Sequence, residues 1–293
     1  MGEKWIDRSW RDIITENVDD AILFFKPDIA ADRDYSKKLM LIPTELPTIG
    51  GDSDKGMRIS DICLSVPLIT GVAQRLGLYI EQQHWLDFAL ALRMFQDYYR
   101  LSDRLQVPIT SLAIFTGNIN PIDRYTTECY GTELSFKYNV YHVASADVKA
   151  LERNDNIFAL AVLAGRRMLD AGGDPEKRGL YSLELLRLMK ERGYDAKRAR
   201  NLQKFVSRIF RLKDKDIDPK VKEVWSMEFI PIDEAIREIQ IRDAMEEGME
   251  KGLEKGLEKK AFEVARGMLA DGLSLEFIGK YTGLGKEDIL ALS

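Results

Sequence analysis

The chain has 293 residues, of which 45% are hydrophobic and 31% are charged, so it is long enough for one or two globular domains. Its formal net charge of -5 excludes a global positive field that would draw it onto nucleic acid, so any such surface has to be local. It has two cysteines, two histidines, no signal-peptide core and no apolar stretch near the roughly 20 residues that span a bilayer, which predicts a cytoplasmic protein without a membrane role.

The first predicted element is a helix over residues 9–26, where apolar side chains recur at helical spacing and Pro27 marks the end. The other face of this helix is acidic and carries Asp12, Glu16, Asp19 and Asp20. Acids on a helix surface are ordinarily solvated, which is one interpretation of this face. Residues 39–46 then predict a short first strand, followed by a turn rich in glycine.

Two apolar runs, at about 58–68 and 76–83, predict neighbouring strands that each hold an acid, Asp61 in the first and Glu81 in the second. An ionised carboxylate in an apolar strand is costly unless a cation offsets it, and a divalent metal offsets two carboxylates at once. Glu81 and Gln83 alternate onto one face, which gives the layout of a D...(D/E)-x-K nuclease site with Gln in the last position. Solvated acids at strand ends are the alternative.

A helix and a buried strand are predicted to follow the two acid-bearing strands. Residues 87–104 have the periodicity of a helix whose inward face carries Phe88, Leu92, Phe95, Tyr99 and Leu101. Residues 107–115 are almost continuously apolar, which is typical of a strand buried on both faces, and residues 131–143 alternate like an edge strand. The predicted order is therefore helix, three strands, helix and strand.

Residues 81–117, from EQQHWLDFALALRMFQDYYR to VPITSLAIFTG, resemble the Rpn family of recombination-promoting nucleases, which are also described as transposases and belong to the PD-(D/E)XK superfamily. In that family an E-x-Q strand is followed by a similar helix and a similar strand. The likeness extends from about Trp10 to the C-terminus and is most specific in residues 81–117. It implies an αβββαβ nuclease core.

The same resemblance implies the residues of a metal site. It implies Mg²⁺ or Mn²⁺ as the cofactor, with Asp61 and Glu81 as ligands and the backbone carbonyl of Gln82 as a further ligand. Gln83 stands where the superfamily usually has Lys, so it can orient a water molecule but brings no positive charge. An acid of the first helix often completes the metal shell in this superfamily, and Glu16 is the candidate.

Arg93 and Arg100 of the predicted helix are candidate contacts to the phosphates of a nucleic acid, because the planar guanidinium binds two oxygens at once. The alternative is that they pair with Asp97 or Asp103, which lie at helical spacings from them.

After residue 154 the pattern is wholly helical. Residues 196–212 form the most basic predicted helix, on which Lys204 and Arg208 are candidate phosphate contacts and a solvated basic face is the alternative. Residues 248–259 repeat a four-residue unit with glycine, which predicts either close helix packing, including packing on a second subunit, or a loosely helical tether. The last 35 residues resemble a helix-turn-helix, but five basic and five acidic residues there suit a packing or oligomerisation module equally well.

The sequence thus predicts an α/β (α+β) protein with a PD-(D/E)XK nuclease-like αβββαβ domain at 1–150, a helical domain at 151–245 and a helical tail at 246–293. The function expected from the resemblance is a metal-dependent DNA endonuclease that hydrolyses phosphodiester bonds, with DNA as partner and possible self-association through the tail. The alternative is a non-catalytic DNA-binding or scaffold protein that keeps a degenerate nuclease fold.

Overall fold

The computed structural model describes residues 4–42, 62–69, 74–210 and 232–292, which belong to two compact units. Described residues up to Phe210 lie in the first unit, and those from Glu238 onward lie in the second. The first unit combines helices with a mixed sheet, so the expectation of an α+β fold is confirmed at that level. Asp61 and the part of the predicted first strand beyond Ile42 lie outside the described residues.

The described strands of the first unit form a five-stranded sheet and a separate hairpin. Their bounds are β1 Met40–Ile42, β2 Ile62–Pro67, β3 Arg75–Gln83, β4 Ile109–Phe115, β5 Arg124–Cys129, β6 Thr132–Lys137 and β7 Asn139–His142. The sheet has the order β1-β2-β3-β4-β7, with β1, β2 and β3 antiparallel and with β4 parallel to both β3 and β7. Since parallel neighbours require a crossover, a helix joins β3 to β4.

The described helices of the first unit lie before, between and after these strands. Their bounds are α1 Lys4–Glu16, α2 Val18–Phe25, α3 Pro27–Asp32, α4 Leu90–Leu105, α5 Val148–Arg153, α6 Ile157–Ala171, α7 Pro175–Arg192 and α8 Ala196–Ile209. The helix predicted over residues 9–26 is thus two helices that meet at Asn17, whose backbone and side-chain N–H groups both donate to the carbonyl of Ile13.

One face of the sheet shares a continuous core with α1, α6 and α8. Leu78 and Ile80 of β3 lie in this core, and α6 is buried on nearly all sides, as expected for a helix that is apolar all round. A Cβ atom at Gly165 of α6 would lie 3.0 Å from the ring of Trp10, so glycine lets that ring approach the helix closely. The helices predicted as a separate domain from residue 151 therefore complete the core of the sheet.

Helix α4 lies on the opposite face of the sheet, because it contacts the β3 residues that alternate with Leu78 and Ile80. Its buried residues are Leu90, Ala91, Met94, Asp97 and Leu101. The prediction of the inward face is therefore correct for Leu101 and wrong for Phe88, Leu92 and Tyr99, which are 86%, 37% and 61% exposed. Phe95 is half-buried and stacks on Tyr125 at 5.7 Å between ring centroids.

The hairpin of β5 and β6 packs on α4 through aromatic rings, with Phe136 of β6 4.8 Å from Tyr98 between ring centroids. Strand β5 is absent from the sequence prediction, and the single strand predicted over residues 131–143 is two strands, β6 and β7. The turn between β5 and β6 consists of Tyr130 and Gly131, with φ of 47° and 81°. Both residues occupy the left-handed region, as the tight two-residue hairpin turn requires.

The second unit contains the long helix α9 Ile232–Ala270 from Glu238 onward, followed by α10 Leu275–Thr282 and α11 Lys286–Leu290. Ser274 caps α10 by accepting from the Phe277 amide, as its type and position predict. A small core of Ala265, Ile278 and Ile289 holds the three helices together. Along the glycine repeat, Cβ atoms built at Gly248, Gly252 and Gly256 meet no described atom within 4 Å. The close helix packing predicted for this repeat is therefore not formed within the described part of the chain.

Candidate active site

The carboxyl end of β3 carries the candidate site residues on two faces. Tyr79, Glu81 and Gln83 alternate onto the face that contacts α4, and Gln82 points to the other. Glu81 is 3% exposed, so its carboxylate lies in the protein interior as the sequence predicts. In the neighbouring strand, the first described residue is Ile62, which pairs with Ile80.

The buried carboxylate of Glu81 is balanced by Arg93 of α4. Arg93 Nη2 lies 2.8 Å from Glu81 Oε1, and the Tyr79 hydroxyl lies 3.2 Å from Glu81 Oε2. Arg93 also pairs with Asp87. Burial acts to lower the pKa of Arg93, but Glu81 and Asp87 together raise it above its usual range. The guanidinium is therefore charged at every accessible pH.

Gln83 uses both ends of its amide within this network. Its Oε1 accepts from Arg93 Nη2 at 3.2 Å, and its Nε2 donates to the backbone carbonyl of Trp85. The sequence predicts Gln83 on the same strand face as Glu81, and Gln83 lies on that face in the structure. The positive charge beside Glu81 is supplied by Arg93 of α4, since residue 83 is neutral.

Tyr79 joins Glu81 to a second buried acid, Asp97. The Tyr79 hydroxyl is 3.2 Å from Glu81 Oε2 and 3.1 Å from Asp97 Oδ2, but it has one proton to donate. Both contacts are hydrogen bonds when one carboxyl is protonated. Burial, and next the charge of Glu81, raise the pKa of Asp97. Asp97 shares the buried row of α4 with Leu101, four residues further on. This spacing was the signal in the sequence that Asp97 is buried.

Asp7 of α1 is the first-helix acid whose pKa responds to the charge of Glu81. Burial raises its pKa to about 6, the contact with the Gln82 side chain lowers it, and the charge of Glu81 raises it. Glu16, the acid chosen from the sequence, lies at the other end of α1, about 14 Å along the helix axis from Asp7. Sequence reasoning missed Asp7 because the predicted helix began at residue 9.

Two oxygens at this position are buried without a hydrogen-bond donor among the described residues, Asp7 Oδ1 and Gln82 Oε1. The other end of the Gln82 amide is satisfied, since Nε2 donates to Thr116 Oγ1 at 2.6 Å. A buried acceptor without a partner costs free energy, so these two oxygens are suited to a ligand that accepts lone pairs. An all-oxygen donor set is the type that Mg²⁺ prefers.

His84 follows the acid-bearing strand directly and is buried. Its Nδ1 lies 3.1 Å from Thr116 Oγ1, and its ring packs edge-on against Trp85. A Cβ atom at Gly117 would overlap the carbonyl oxygen of His84 at 1.9 Å, so glycine is required where the chain leaves β4. The arrangement suits a packed histidine more than one that acts on substrate.

The other predicted phosphate contacts lie in ion pairs or at helix interfaces. Arg100 Nη1 is 3.4 Å from Asp97 Oδ1, which is the pairing that its spacing offered as the alternative. Arg208 is buried where α8 meets α1, and its Nη1 lies 2.6 Å from Asp12 Oδ2. Lys204 is half-buried on the same helix. Arg208 of the basic helix α8 therefore pairs with an acid of the N-terminal helices, Asp12.

Within the described residues, no group of three or more His, Cys, Asp or Glu side chains is placed to hold a metal ion. Among the same residues, no helix is both long and apolar enough to cross a membrane. Comparisons of the chain with protein-family models, with curated proteins and with solved structures gave no match.

Proposed function

We propose that the protein is a metal-dependent DNA endonuclease of the recombination-promoting type, with a PD-(D/E)XK core, that hydrolyses phosphodiester bonds. The observation that carries the proposal is the buried carboxylate of Glu81 on β3, together with two oxygens on the other face of the strand, Asp7 Oδ1 and Gln82 Oε1, that are buried without a donor among the described residues. The order of elements also supports it, since helix, three strands, helix and strand is the order expected of that core.

The residues proposed to hold Mg²⁺ or Mn²⁺ are Glu81, the backbone carbonyl of Gln82 and Asp61, which directly precedes Ile62 in sequence. When bound, the metal supplies a Lewis acid that polarises the phosphate and lowers the pKa of a water molecule. The chain's own part is to keep water out of the interior and to hold Glu81 in one orientation through Arg93 and Tyr79. Asp7 replaces Glu16 as the first-helix acid in this proposal, because the charge of Glu81 acts on Asp7 across the strand and raises its pKa.

Arg93 offers a substitute for the lysine that the superfamily has at the position of Gln83. Its Nη2 lies within hydrogen-bond distance of both Glu81 and Gln83, so a cation stands next to the proposed reacting phosphate although residue 83 is neutral. A fixed cation there stabilises the negative charge that develops in the transition state. Gln83 then orients Arg93 in addition to any role with water.

The second candidate function is a non-catalytic DNA-binding or scaffold protein with a degenerate nuclease fold. The observation that favours it is that Glu81 already has a full set of partners, with Arg93 at one oxygen and Tyr79 at the other. A carboxylate satisfied in this way needs no metal for its burial to be tolerated.

Nicking of supercoiled plasmid in Mg²⁺ distinguishes the two functions. The endonuclease proposal expects Glu81→Ala and Asp61→Ala each to abolish nicking while the far-ultraviolet circular dichroism is retained. Glu133→Ala, an exposed acid of the hairpin, is the matched control and leaves the rate unchanged. Wild-type protein that does not nick, or Glu81→Ala protein that nicks at the wild-type rate, contradicts the proposal.

A further inference from the structure

The four-residue repeat of α9 arranges its residues in rows along the helix. The repeat covers residues 248–259 as three units of glycine, methionine or leucine, glutamate and lysine. Residues four apart lie on nearly the same side of an α-helix, turned by about 40° from one to the next, so each position of the unit forms its own row. Successive rows lie about 100° apart. The glycine row and the apolar row are therefore neighbours, with the lysine row beyond the glycines and the glutamate row beyond the apolar residues.

The glycine row and the apolar row together form one exposed face of α9. Cβ atoms built at the three glycines of the repeat meet no described atom within 4 Å. The apolar row continues from Met249 back to Met245 and Ile241, which are 75%, 68% and 53% exposed. Single exposed apolar residues are normal in proteins, but a continuous row of this kind marks an interaction surface.

The glycines are unfavourable in α9 unless another backbone packs on them. Each glycine in a helix interior costs about 1 kcal/mol relative to alanine, and helices in proteins take most of their stability from packing. The described core of the second unit, which contains Ala265 of α9, lies beyond the repeat and does not cover it. A glycine row is favourable where a second helix approaches closely, because no side chain holds the two backbones apart.

The charged rows on the two sides of this face fit a second copy of the same helix. The lysine row contains the exposed residues Lys251, Lys255 and Lys259, and the glutamate row ends at the exposed Glu258. In a parallel pair with two-fold symmetry, the left side of each helix meets the right side of its partner, so lysines lie beside glutamates along both edges. In an antiparallel pair, like sides meet, and lysines lie beside lysines. The charges of the repeat therefore favour a parallel pair of identical helices.

The period of the repeat limits how far such a pair extends. A period of four residues is longer than the 3.6 residues of one helical turn, so the face turns around the helix by about 40° with each unit. Two such faces stay in contact over a few turns only, and the helices cross at an angle instead of winding around each other as a long coiled coil.

We propose that α9 pairs in parallel with α9 of a second copy of this chain, through the glycine row and the apolar row, with the lysines of each helix beside the glutamates of the other. No described residue of the candidate active site lies in α9, so the inference stands apart from the proposed function.

Disulfide cross-linking of the full-length protein tests the parallel orientation. The background variant is Cys129→Ser, because Cys129 is exposed whereas Cys63 is buried. We expect Met245→Cys and Met249→Cys each to form a covalent dimer under mild oxidation, since every residue of the row faces its own copy. An antiparallel pair brings at most one of these two positions within the roughly 7 Å between Cα atoms that a disulfide spans. Glu258→Cys is the matched control, since it is exposed but lies nine residues from Met249, on the opposite side of the helix.

Light scattering over a series of protein concentrations tests the face itself. We expect the wild type to reach about twice the chain mass of 33.5 kDa. Gly252→Leu should raise the dissociation constant of the pair by roughly tenfold or more, because it overpacks the contact, although leucine favours the helix itself. Gly267→Leu is the matched control, since it makes the same change at an exposed glycine of α9 beyond the repeat. The double variant Lys251→Glu, Lys255→Glu should also weaken the pair, because it places like charges along both edges.

Four results overturn the inference. The first is a wild type that keeps the mass of one chain at every concentration, and the second is association of Gly252→Leu that equals that of the wild type. The third is cross-linking between Met245→Cys and Met249→Cys in a mixture but of neither variant with itself, which identifies an antiparallel pair. The fourth is cross-linking of Glu258→Cys as fast as that of Met249→Cys, which assigns the dimers to random collision. Circular dichroism that shows undiminished helix in Gly252→Leu ensures that weaker association is not caused by loss of α9.

Discussion

The guanidinium of Arg93 and the carboxylate of Glu81 form an ion pair whose nearest atoms, Nη2 and Oε1, are 2.8 Å apart and whose side chains are 14% and 3% exposed. The pair joins the helix α4 to the strand β3 across the face of the sheet. Neither charge has ready access to water, so each depends on the other for its stability in the interior.

Arg93→Ala is therefore expected to destabilise the first unit strongly. Removing one partner of a buried pair typically costs about 3–5 kcal/mol, because the other charge stays buried. Urea unfolding at neutral pH measures the loss. Lys37→Ala is the control, since Lys37 pairs with Asp34 at 57% exposure and such surface pairs contribute about 0–1 kcal/mol. Equal losses in the two variants would show that Glu81 finds another partner.

Asp7 is expected to make stability fall as pH rises. Its pKa is raised from 3.8 to about 6, mainly by burial, so the folded state holds the proton more tightly than the unfolded state does. The stabilisation is fully present below pH 3.8 and is lost as pH rises through about 6. Asp7→Asn should therefore be more stable than wild type at pH 7.5, by on the order of 2 kcal/mol after allowance for partial exposure.

Urea unfolding of Asp7→Asn and wild type at pH 4.5 and pH 7.5 measures this difference, which should shrink markedly at the lower pH. Asp34→Asn serves as a control of opposite sign, because hydrogen bonds from Ser36 and then Lys37 lower the pKa of this exposed acid. A gain for Asp7→Asn that is the same at both pH values would exclude ionisation of Asp7 as its cause.

If Arg93 supplies the positive charge that Gln83 lacks, the charge can be moved between the two positions. Arg93→Gln should reduce nicking by a factor on the order of 10², as for removal of one stabilising group from a transition state. Adding Gln83→Lys to this variant should restore part of the rate, because it returns a cation to the Glu81 face. Single-turnover cleavage in saturating Mg²⁺ is the measurement, and an inactive double variant that is folded would argue against a role for the charge.

Tyr130→Asn is expected to stabilise the hairpin. Tyr130 has a φ of 47°, in a region where a residue with a bulky side chain is strained and where Asn is favoured before Gly131. The ring is fully exposed, so no contact within the described chain offsets the strain. We expect a gain of about 1 kcal/mol. A fall in the melting temperature would mean that the ring makes a contact in solution that outweighs the strain.

Truncation after Arg237, where the first unit ends, tests the role of the tail. The strands and every described residue of the candidate site lie upstream, so the truncated protein should fold and retain nicking. Met249 of α9 is 75% exposed and its neighbouring glycines are open, which favours self-association through this helix. Light scattering should therefore give fewer subunits per assembly for the truncated protein. An unchanged number of subunits would leave the helix as a tether.

The sequence predicted the strands around Glu81 well because β3 and β4 are short apolar runs bounded by turns, and local pattern is enough to find such strands. It failed for α4, where Phe88, Leu92 and Tyr99 mark an apolar row as clearly as the buried row does. Periodicity finds a face but does not tell which of two apolar faces meets the sheet. The buried position of Asp7 was also beyond local pattern, since Asp7 precedes the predicted first helix and lies 74 residues from Glu81 in sequence.

The small core under α10 and α11 has a consequence for how the chain opens. Among the described residues, three fully buried side chains hold this unit together, whereas α6 alone contributes eleven buried residues to the other. Opening free energies differ between regions of a protein and are lowest where few apolar contacts must be broken. Backbone amides of α10 and α11 should therefore exchange with deuterium long before those of α6. A protease should likewise cut between α10 and α11 without unfolding the sheet.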